Sequence, residues 1–172
     1  MEKPSGMSIA FLSPGISFMQ RIGLFIATAG GAGHSPVAPG TAGALVGLLL
    51  YVGLGQLNER LQAFIVLGVL AAGFWATGVL LRRYGTHDDS RIVIDEVVGL
   101  WITLYAMPVT PLWFAIGFIL FRFLDILKPF PANWFDRKMP GSAGVLLDDV
   151  VCGIYGQALL RVLMRFTGAE GA

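Results

Sequence analysis

The sequence contains few charged residues for its length. Only 13% of its 172 residues are Asp, Glu, Lys or Arg, whereas 55% are apolar, and the mean hydropathy is +0.71. A typical soluble domain has about 25% charged and roughly 45–50% apolar residues. The formal net charge is +1. The chain therefore lacks the basic excess that favours nucleic-acid binding, and we expect no nucleic-acid partner.

The chain also has a single cysteine, Cys152, which excludes a disulfide bond within it. Cys152 lies in the apolar run Val150–Leu160, where a small buried side chain is expected. Enzymes that attack phosphate with a cysteine thiolate hold it in a Cys-x5-Arg loop, but Ala158 stands where that arginine would be. The sequence therefore excludes the thiol phosphatases.

The N-terminal segment lacks the pattern of a signal peptide. Met1–Ser13 has neither a basic start followed by an apolar core nor a small-residue cleavage site. We expect a flexible lead over residues 1–15, one helical domain over residues 16–166 and a short tail over residues 167–172.

Long stretches without charge predict helices rather than strands. No Asp, Glu, Lys or Arg occurs between Arg21 and Glu59 or between Arg60 and Arg82, and Leu61–Leu81 is as long as the roughly 20 residues that span a bilayer. These runs do not alternate and are too long for typical strands. We predict an all-α fold, a compact bundle of about six helices, several of them membrane-embedded. Their expected bounds are Ile16–Ala32, Thr41–Leu57, Leu61–Arg83, Asp95–Met107, Leu112–Leu127 and Leu147–Phe166.

Glycine spacing is compatible with two environments for this bundle. Gly43 and Gly47 form a small-xxx-small face of the kind that lets helices approach closely in membranes. The same spacing also suits tight packing in a soluble helical core. If the helices form successive hairpins, three loops meet on one side, His34–Gly40, Tyr84–Ile94 and Lys128–Leu146. That side has more basic residues than the other, so the positive-inside tendency places it in the cytoplasm.

Eight of the eleven acidic residues lie between Asp88 and Asp149, mostly as adjacent pairs. The pairs Asp95-Glu96 and Asp148-Asp149 are each flanked by apolar sequence. One interpretation is that they are first-turn helix acids stabilised by the macrodipole. The other is that they are buried and bind a hard divalent cation, Mg²⁺ first, because buried charges must be paired or bound to metal.

Two cations and one acid lie on one predicted helix face. Arg122 and Asp125, and then Asp125 and Lys128, are three residues apart and can contact each other. A local salt bridge would explain them, but the stretch is otherwise apolar. Arginine binds phosphate bidentately and lysine adds a point charge. Together with Mg²⁺ and carboxylates, such residues are typical of phosphoryl transfer.

A glycine-rich segment, residues 30–41, precedes the second predicted helix. Backbone amides in such a turn can bind anions, although an ordinary interhelical loop would have the same composition. The segment matches neither a Walker loop nor a dinucleotide-binding turn. His34 within it, and His87 beside Asp88, could transfer a proton, since histidine is the side chain best suited to proton transfer near neutral pH, or they could be structural.

Four blocks of this sequence occur together in an order and spacing that characterise one known family. The blocks are Gly33-His-Ser-Pro-Val-Ala-Pro-Gly-Thr-Ala-Gly43, His87-Asp-Asp-Ser-Arg-Ile-Val-Ile-Asp-Glu-Val-Val-Gly-Leu-Trp-Ile102, Phe121-Arg-Phe-Leu-Asp-Ile-Leu-Lys-Pro-Phe-Pro131 and Gly144-Val-Leu-Leu-Asp-Asp-Val-Val-Cys-Gly153. Together they resemble phosphatidylglycerophosphatase A over about Gly23 to Leu163. This sequence differs from the family pattern in two places: the fourth block begins Gly144-Val-Leu-Leu, and Asp89 stands where histidine or another polar residue is frequent.

The resemblance implies an all-helical enzyme of the bacterial inner membrane that hydrolyses phosphatidylglycerophosphate with Mg²⁺ as cofactor. We expect multi-pass insertion, contact with membrane lipid and an active site facing the cytoplasm. The expected catalytic residues are His34, Asp95 and Asp149. The expected substrate-binding residues are Ser35, Thr41, Arg122, Lys128 and Arg137. The expected metal ligands are Asp95, Glu96, Asp125, Asp148 and Asp149.

Two other functions stay open at this point. One is a membrane protein that binds an anionic lipid without catalysis. The other is a soluble metal-dependent phosphatase on the same fold, since the family includes soluble relatives. Attack on phosphorus by water and attack by an aspartate are both compatible with these residues.

Overall fold

A computed structural model describes residues 15–85 and 89–167, and in these two ranges every regular element is helical. This confirms the predicted all-α fold. We number the α-helices in chain order and leave the 3-10 segment unnumbered. The elements are α1 Phe18–Ala27, the 3-10 segment Ala29–His34, α2 Pro39–Leu54, α3 Glu59–Tyr84, α4 Ile94–Leu104, α5 Pro111–Leu127, α6 Ala132–Lys138 and α7 Ser142–Thr167.

The structure changes three of the predicted bounds in a way that affects the site. The first helix does not reach Ala32 but ends at Ala27, because Gly30 and Gly31 have φ angles of +70° and +105°, which a right-handed helix cannot contain. Helix α6 lies inside the segment Lys128–Leu146, which we expected to be a loop. Helix α7 begins at Ser142 instead of Leu147.

Helix α4 occupies the centre of the bundle, and most of its residues are buried. It packs mainly against α7 and α2. The indole nitrogen of Trp101 donates to the carbonyl of Gly47 at 2.8 Å. Gly153 of α7 lies so close to α4 that an added Cβ would be 2.5 Å from the carbonyl oxygen of Gly99. These contacts hold α4 closely between α2 and α7.

Hydrogen bonds fix the helix ends on the side of the bundle where α4 ends and α3 begins. Asn58 caps α3 by accepting from the amide of Leu61 at 3.0 Å. The hydroxyl of buried Tyr51 donates to the carbonyl of Leu104, the last residue of α4. The last residue of the central helix α4 is therefore tied to the longer helix α2.

Two helices, α3 and α7, are long and apolar enough to cross a membrane. Helix α4, with 11 residues, is too short to cross one alone. Many large apolar side chains face outward, among them Leu49 and Phe64, each 73% exposed. Apolar surface of this extent indicates an interaction with lipid or protein.

Candidate active site

Acidic residues from four helices line one cavity of about 270 Å³. Asp95 and Glu96 lie in the first turn of α4. The other acids of the helices are Asp125 of α5, Asp136 of α6, and Asp148 and Asp149 of α7. The four helices therefore converge around this cavity.

Three of these carboxylates form a compact cluster. Asp95, Glu96 and Asp149 each provide an oxygen atom such that the three atoms lie within 4.8 Å of one another. Each residue also has one buried carboxylate oxygen with no hydrogen-bond partner among the described residues, Asp95 Oδ1, Glu96 Oε2 and Asp149 Oδ2. Burying such oxygen atoms unpaired is unfavourable, so the cluster is suited to a cation.

Burial also perturbs the titration of the two acids in α4. It raises the pKa of Asp95 well above its ordinary value, and the neighbouring Glu96 raises it further. Burial likewise raises the pKa of Glu96, although a hydrogen bond with Asp95 opposes the shift. Without a cation, these two carboxyl groups therefore hold protons at a higher pH than exposed acids do.

Helix α7 positions its two acids well inside the helix. Because α7 begins at Ser142, Asp148 and Asp149 lie beyond its first turn, where the stabilisation by the macrodipole has faded. Both residues are nevertheless 3% exposed. The interpretation of this pair as first-turn helix acids is therefore wrong, whereas Asp95 and Glu96 do lie in a first turn.

Arg122 and Asp125 connect the cluster to α5. Arg122 Nη1 lies 2.5 Å from Asp125 Oδ2 and 3.9 Å from Glu96 Oε1. Asp125 lines the same cavity as Asp149. Arg122 Nε is buried without a hydrogen-bond partner among the described residues, so this guanidinium retains a donor for a further acceptor.

Lys128 closes another side of the cavity. It ends α5 in a left-handed conformation with φ +46°, and its Nζ donates to Asp136 Oδ1 at 2.5 Å and to Asp148 Oδ2 at 2.7 Å. Burial lowers the pKa of Lys128, but these two hydrogen bonds outweigh it and leave the pKa raised. The ammonium group is therefore charged and fixed between α6 and α7.

Two acids of the cavity, Asp89 and Asp136, were not among the expected site residues. Asp89 accepts from Arg91 Nε at 2.8 Å and from Arg91 Nη2 at 2.6 Å, and Arg91 stacks over the Tyr84 ring at 4.2 Å. Burial raises the pKa of Asp89, but the bonds from Arg91 outweigh it and lower the pKa. The acid-rich block beginning at His87 contains Asp89 and could have indicated it.

Five expected residues lie outside the lining of this cavity in the described structure. They are Arg122, which contacts the lining residues Glu96 and Asp125, and His34, Ser35, Thr41 and Arg137. Ser35 donates to the carbonyl of Val37 at 2.8 Å and so stabilises a turn. Thr41 is half-buried in the first turn of α2, and Arg137 is exposed. His34 ends the 3-10 segment and interacts electrostatically with Asp89. His87 and Asp88 lie outside the described residues.

The donor chemistry of the cavity fits a hard divalent cation. Seven carboxylates line the cavity together with one lysine, and the cluster offers oxygen ligands only. Mg²⁺ prefers such ligands, whereas zinc sites are usually rich in cysteine and histidine. A phosphate group could not approach this concentration of negative charge unless cations first neutralised part of it.

The fold and the site together define a class, the all-α proteins in which helix ends enclose a carboxylate-rich cavity. Residues 25–164 match the family model for phosphatidylglycerophosphatase A. The chain belongs to the phosphatidylglycerophosphatase A family, as its four motif blocks predicted.

Curated relatives agree with this assignment. The chain is 37% identical over 131 residues to phosphatidylglycerophosphatase A of Escherichia coli, which covers 76% of each protein. It is 39% identical over 143 residues to the Haemophilus influenzae protein of the same name, covering 81% of this chain and 86% of the relative. It is also 38% identical over 148 residues to a Bacteroides thetaiotaomicron protein provisionally named phosphatidylinositol-3-phosphatase, covering 81% and 91%. No solved structure matches the chain significantly.

Proposed function

We propose that this protein is a Mg²⁺-dependent lipid phosphatase that hydrolyses phosphatidylglycerophosphate to phosphatidylglycerol and phosphate in phospholipid biosynthesis. The observation that carries the proposal is the cluster of Asp95, Glu96 and Asp149 with its unpaired buried oxygen atoms. The names of two relatives provide the substrate. The Arg122 and Lys128 cations beside the carboxylates suit a phosphate monoester.

Asp95, Glu96 and Asp149 would hold the Mg²⁺ ion. When bound, Mg²⁺ would polarise the phosphoryl group and neutralise its charge. Asp125 and Asp148 line the same cavity, but each is bonded to a cation, Arg122 and Lys128 respectively. We assign these two acids mainly to orienting the cations, and metal ligation by them stays a prediction.

Phosphate binding is assigned to the cationic side of the cavity. Arg122 Nε has a free donor direction, and the start of α2 lines the cavity with Pro39 and Gly40. Proline has no amide hydrogen, but the backbone amide of Gly40 at this helix start can donate to an anion. His34 is the proposed proton carrier, with Asp95 and Asp149 as catalytic carboxylates. Ser35, Thr41 and Arg137 stay predicted substrate contacts.

We place the protein in the bacterial inner membrane as a multi-pass protein. Helices α3 and α7 would span the bilayer. The cavity lies at the end of α3 that carries Arg82 and Arg83 and beside α6, which ends with Arg137 and Lys138. Basic residues concentrate on the cytoplasmic side of membrane proteins, so the active site would face the cytoplasm.

A second substrate has a specific observation in its favour, the name of the Bacteroides relative. The test measures phosphate release from phosphatidylglycerophosphate and from phosphatidylinositol 3-phosphate, each with Mg²⁺ and with EDTA. We expect the larger kcat/KM for phosphatidylglycerophosphate and no release in EDTA. A larger value for the inositol lipid would reassign the substrate. Binding of either lipid without release by the purified protein would favour the non-catalytic alternative.

A further inference from the structure

Exposed apolar residues precede and follow the cavity residue Lys128 in the sequence. We call residues 126–136 the rim segment, because Lys128 and Asp136 within it both line the cavity. Its exposed fractions include 76% for Ile126, 74% for Phe130 and 49% for Trp134. Phe130 is two residues from Lys128, and Trp134 is two residues from Asp136, so each backbone is at most about 8 Å from a cavity residue.

Hydrogen bonds and packing fix the rim segment in place. The carbonyl of Phe130 accepts from the hydroxyl of Tyr155 at 3.0 Å. The Trp134 ring packs edge-on against that of Phe135 with 5.2 Å between ring centroids. Lys128 ties both ends of the segment to α7 through its bonds to Asp136 and Asp148. The aromatic rings are therefore exposed on a fixed backbone.

The charge beside these rings is complementary to a lipid surface. Helix α6 ends with Arg137 and Lys138, and both are exposed. Basic side chains next to the membrane attract anionic headgroups, and tryptophan is enriched where the hydrocarbon meets the headgroups. Two exposed aromatic rings, Phe130 and Trp134, followed by two basic residues therefore fit the interface of an anionic bilayer.

We propose that Phe130 and Trp134 insert into the lipid interface and place the cavity at the depth of the substrate's phosphate group. They are positioning residues, which would select a substrate that resides in the membrane over the same headgroup in solution. This inference rests on the proposed function, since it deepens the role of the same site.

The experiment compares Phe130→Ala and Trp134→Ala with wild type on two substrates. One is long-chain phosphatidylglycerophosphate in vesicles of anionic phospholipid, and the other is a short-chain form dissolved as monomers. On vesicles we expect KM to rise at least about tenfold, because insertion of a large aromatic side chain is lost, with kcat unchanged. On monomers we expect both constants to stay within about twofold of wild type.

Phe64→Ala is the matched control. Phe64 is 73% exposed and lies in α3, 20 residues before the cavity-side end at Tyr84, or about 30 Å along the helix. Phe64→Ala removes the same phenyl ring as Phe130→Ala, at a comparable exposure but far from the rim segment. We expect no change in KM or kcat on either substrate. An equal rise in vesicle KM for Phe64→Ala would overturn the proposal, because the effect would then be general.

Three other outcomes would also overturn the proposal. They are an unchanged vesicle KM in both rim variants, an equal loss on monomers, and a change from a larger to a smaller oligomer, which would mean that a second copy covers the rim.

Fluorescence quenching by brominated phospholipid separates this inference from the proposed function. The difference between wild type and Trp134→Phe gives the quenching of Trp134. We expect it to be strong even if no lipid is hydrolysed, and its absence would refute insertion.

Discussion

At the residue scale, burial without partners distinguishes the central carboxylates from ordinary surface acids. Asp148 is buried and Asp89 and Asp125 are half-buried, but each is paired with an arginine or a lysine. Asp95 and Asp149 have no such cation within salt-bridge distance in the described structure, and each keeps an unpaired oxygen. Such an arrangement is unfavourable until a cation binds, which is why we assign the metal to these residues.

The first prediction concerns pH and stability in the absence of divalent cations. Burial raises the pKa of Asp95 and Glu96 in the folded protein, so above about pH 4, the ordinary carboxyl value, the folded state holds protons that the unfolded state has lost. Stability should then fall as pH rises towards the raised pKa, by up to about 1.4 kcal/mol per pH unit for each such proton. The measurement is thermal unfolding in EDTA over this range.

The Asp95→Asn protein is the control for this pH dependence. It removes one titrating group and keeps the side-chain size, so its stability should fall less steeply with pH than that of wild type. Added Mg²⁺ should stabilise wild type increasingly as pH rises, because the ion binds the deprotonated carboxylates. A wild-type slope in EDTA that is equal to or shallower than the slope of Asp95→Asn would contradict the assignment.

The second prediction concerns Gly40 at the start of α2. A Cβ at this position would lie 2.1 Å from Glu96 Oε1 and 3.3 Å from Arg122 Nη1. Gly40→Ala should therefore displace the Glu96 carboxylate and lower kcat/KM by roughly ten- to a hundredfold. Gly53→Ala in the same helix meets no atom within 4 Å and should keep full activity. Phosphate release by the two variants tests this, and equal activities would show that Glu96 need not stay where it lies.

Sequence reasoning identified the acids at the centre of the site but not those at its edge. Asp95, Glu96 and Asp149 were evident because each lies in a short polar interruption of apolar sequence. Asp136 was not, because its role depends on α6 bringing it to Lys128. Contacts of that kind depend on how a loop folds back, which local sequence patterns do not encode.

At the scale of the helices, hydropathy predicted six segments and missed α6. Helix α6 has only 7 residues, too few to show a helical period. We predicted the start of α7 at Leu147, five residues late, because its first residues, Ser142-Ala143-Gly144, are small and do not form an apolar run. The error mattered, since it suggested a macrodipole role for Asp148 and Asp149.

The third prediction concerns the contact between α4 and α7. Gly153 is four residues after Asp149 and so lies on the same face of α7. A Cβ there would be 2.5 Å from the carbonyl oxygen of Gly99 and 3.0 Å from Ile102 Cβ. Gly153→Ala should separate the two helices, lower the free energy of unfolding by roughly 1–3 kcal/mol and reduce activity by moving Asp149.

Gly68→Ala in α3 is the comparison for this variant. Its added Cβ meets no atom within 4 Å, so it should keep activity and gain roughly 0.5–1 kcal/mol of stability from the better helix former. Thermal unfolding and phosphate release measure both variants. A Gly153→Ala protein as stable and active as Gly68→Ala would contradict the close packing of α4 on α7.

At the scale of the whole molecule, the positions of polar and apolar surface agree with an enzyme that works on a membrane. The carboxylate cavity lies at one end of the bundle together with Arg91 and Lys128, and apolar side chains cover much of the outside. The family assignment gave the substrate, which no arrangement of charges alone could have specified.

The fourth prediction concerns orientation in the membrane. The chain has one cysteine, Cys152, and it is buried, so a Cys152→Ala protein is a suitable background. Gln56→Cys lies beyond α2 at the end opposite the cavity, whereas Lys138→Cys lies beside the cavity, and both positions are exposed. In intact spheroplasts, a membrane-impermeant maleimide should label position 56 only. Labelling of position 138 before permeabilisation would place the active site outside the cytoplasm.

The fifth prediction tests the central claim, Mg²⁺-dependent hydrolysis at the cluster of Asp95, Glu96 and Asp149. The measurement is phosphate release from phosphatidylglycerophosphate by wild type and by Asp149→Asn, each in EDTA and at saturating Mg²⁺. We predict release by wild type with Mg²⁺ only, and a loss of at least about a hundredfold in the variant, which corresponds to roughly 2.7 kcal/mol of transition-state stabilisation. Equal release by wild type in EDTA, or near-normal release by Asp149→Asn at saturating Mg²⁺, would contradict the claim.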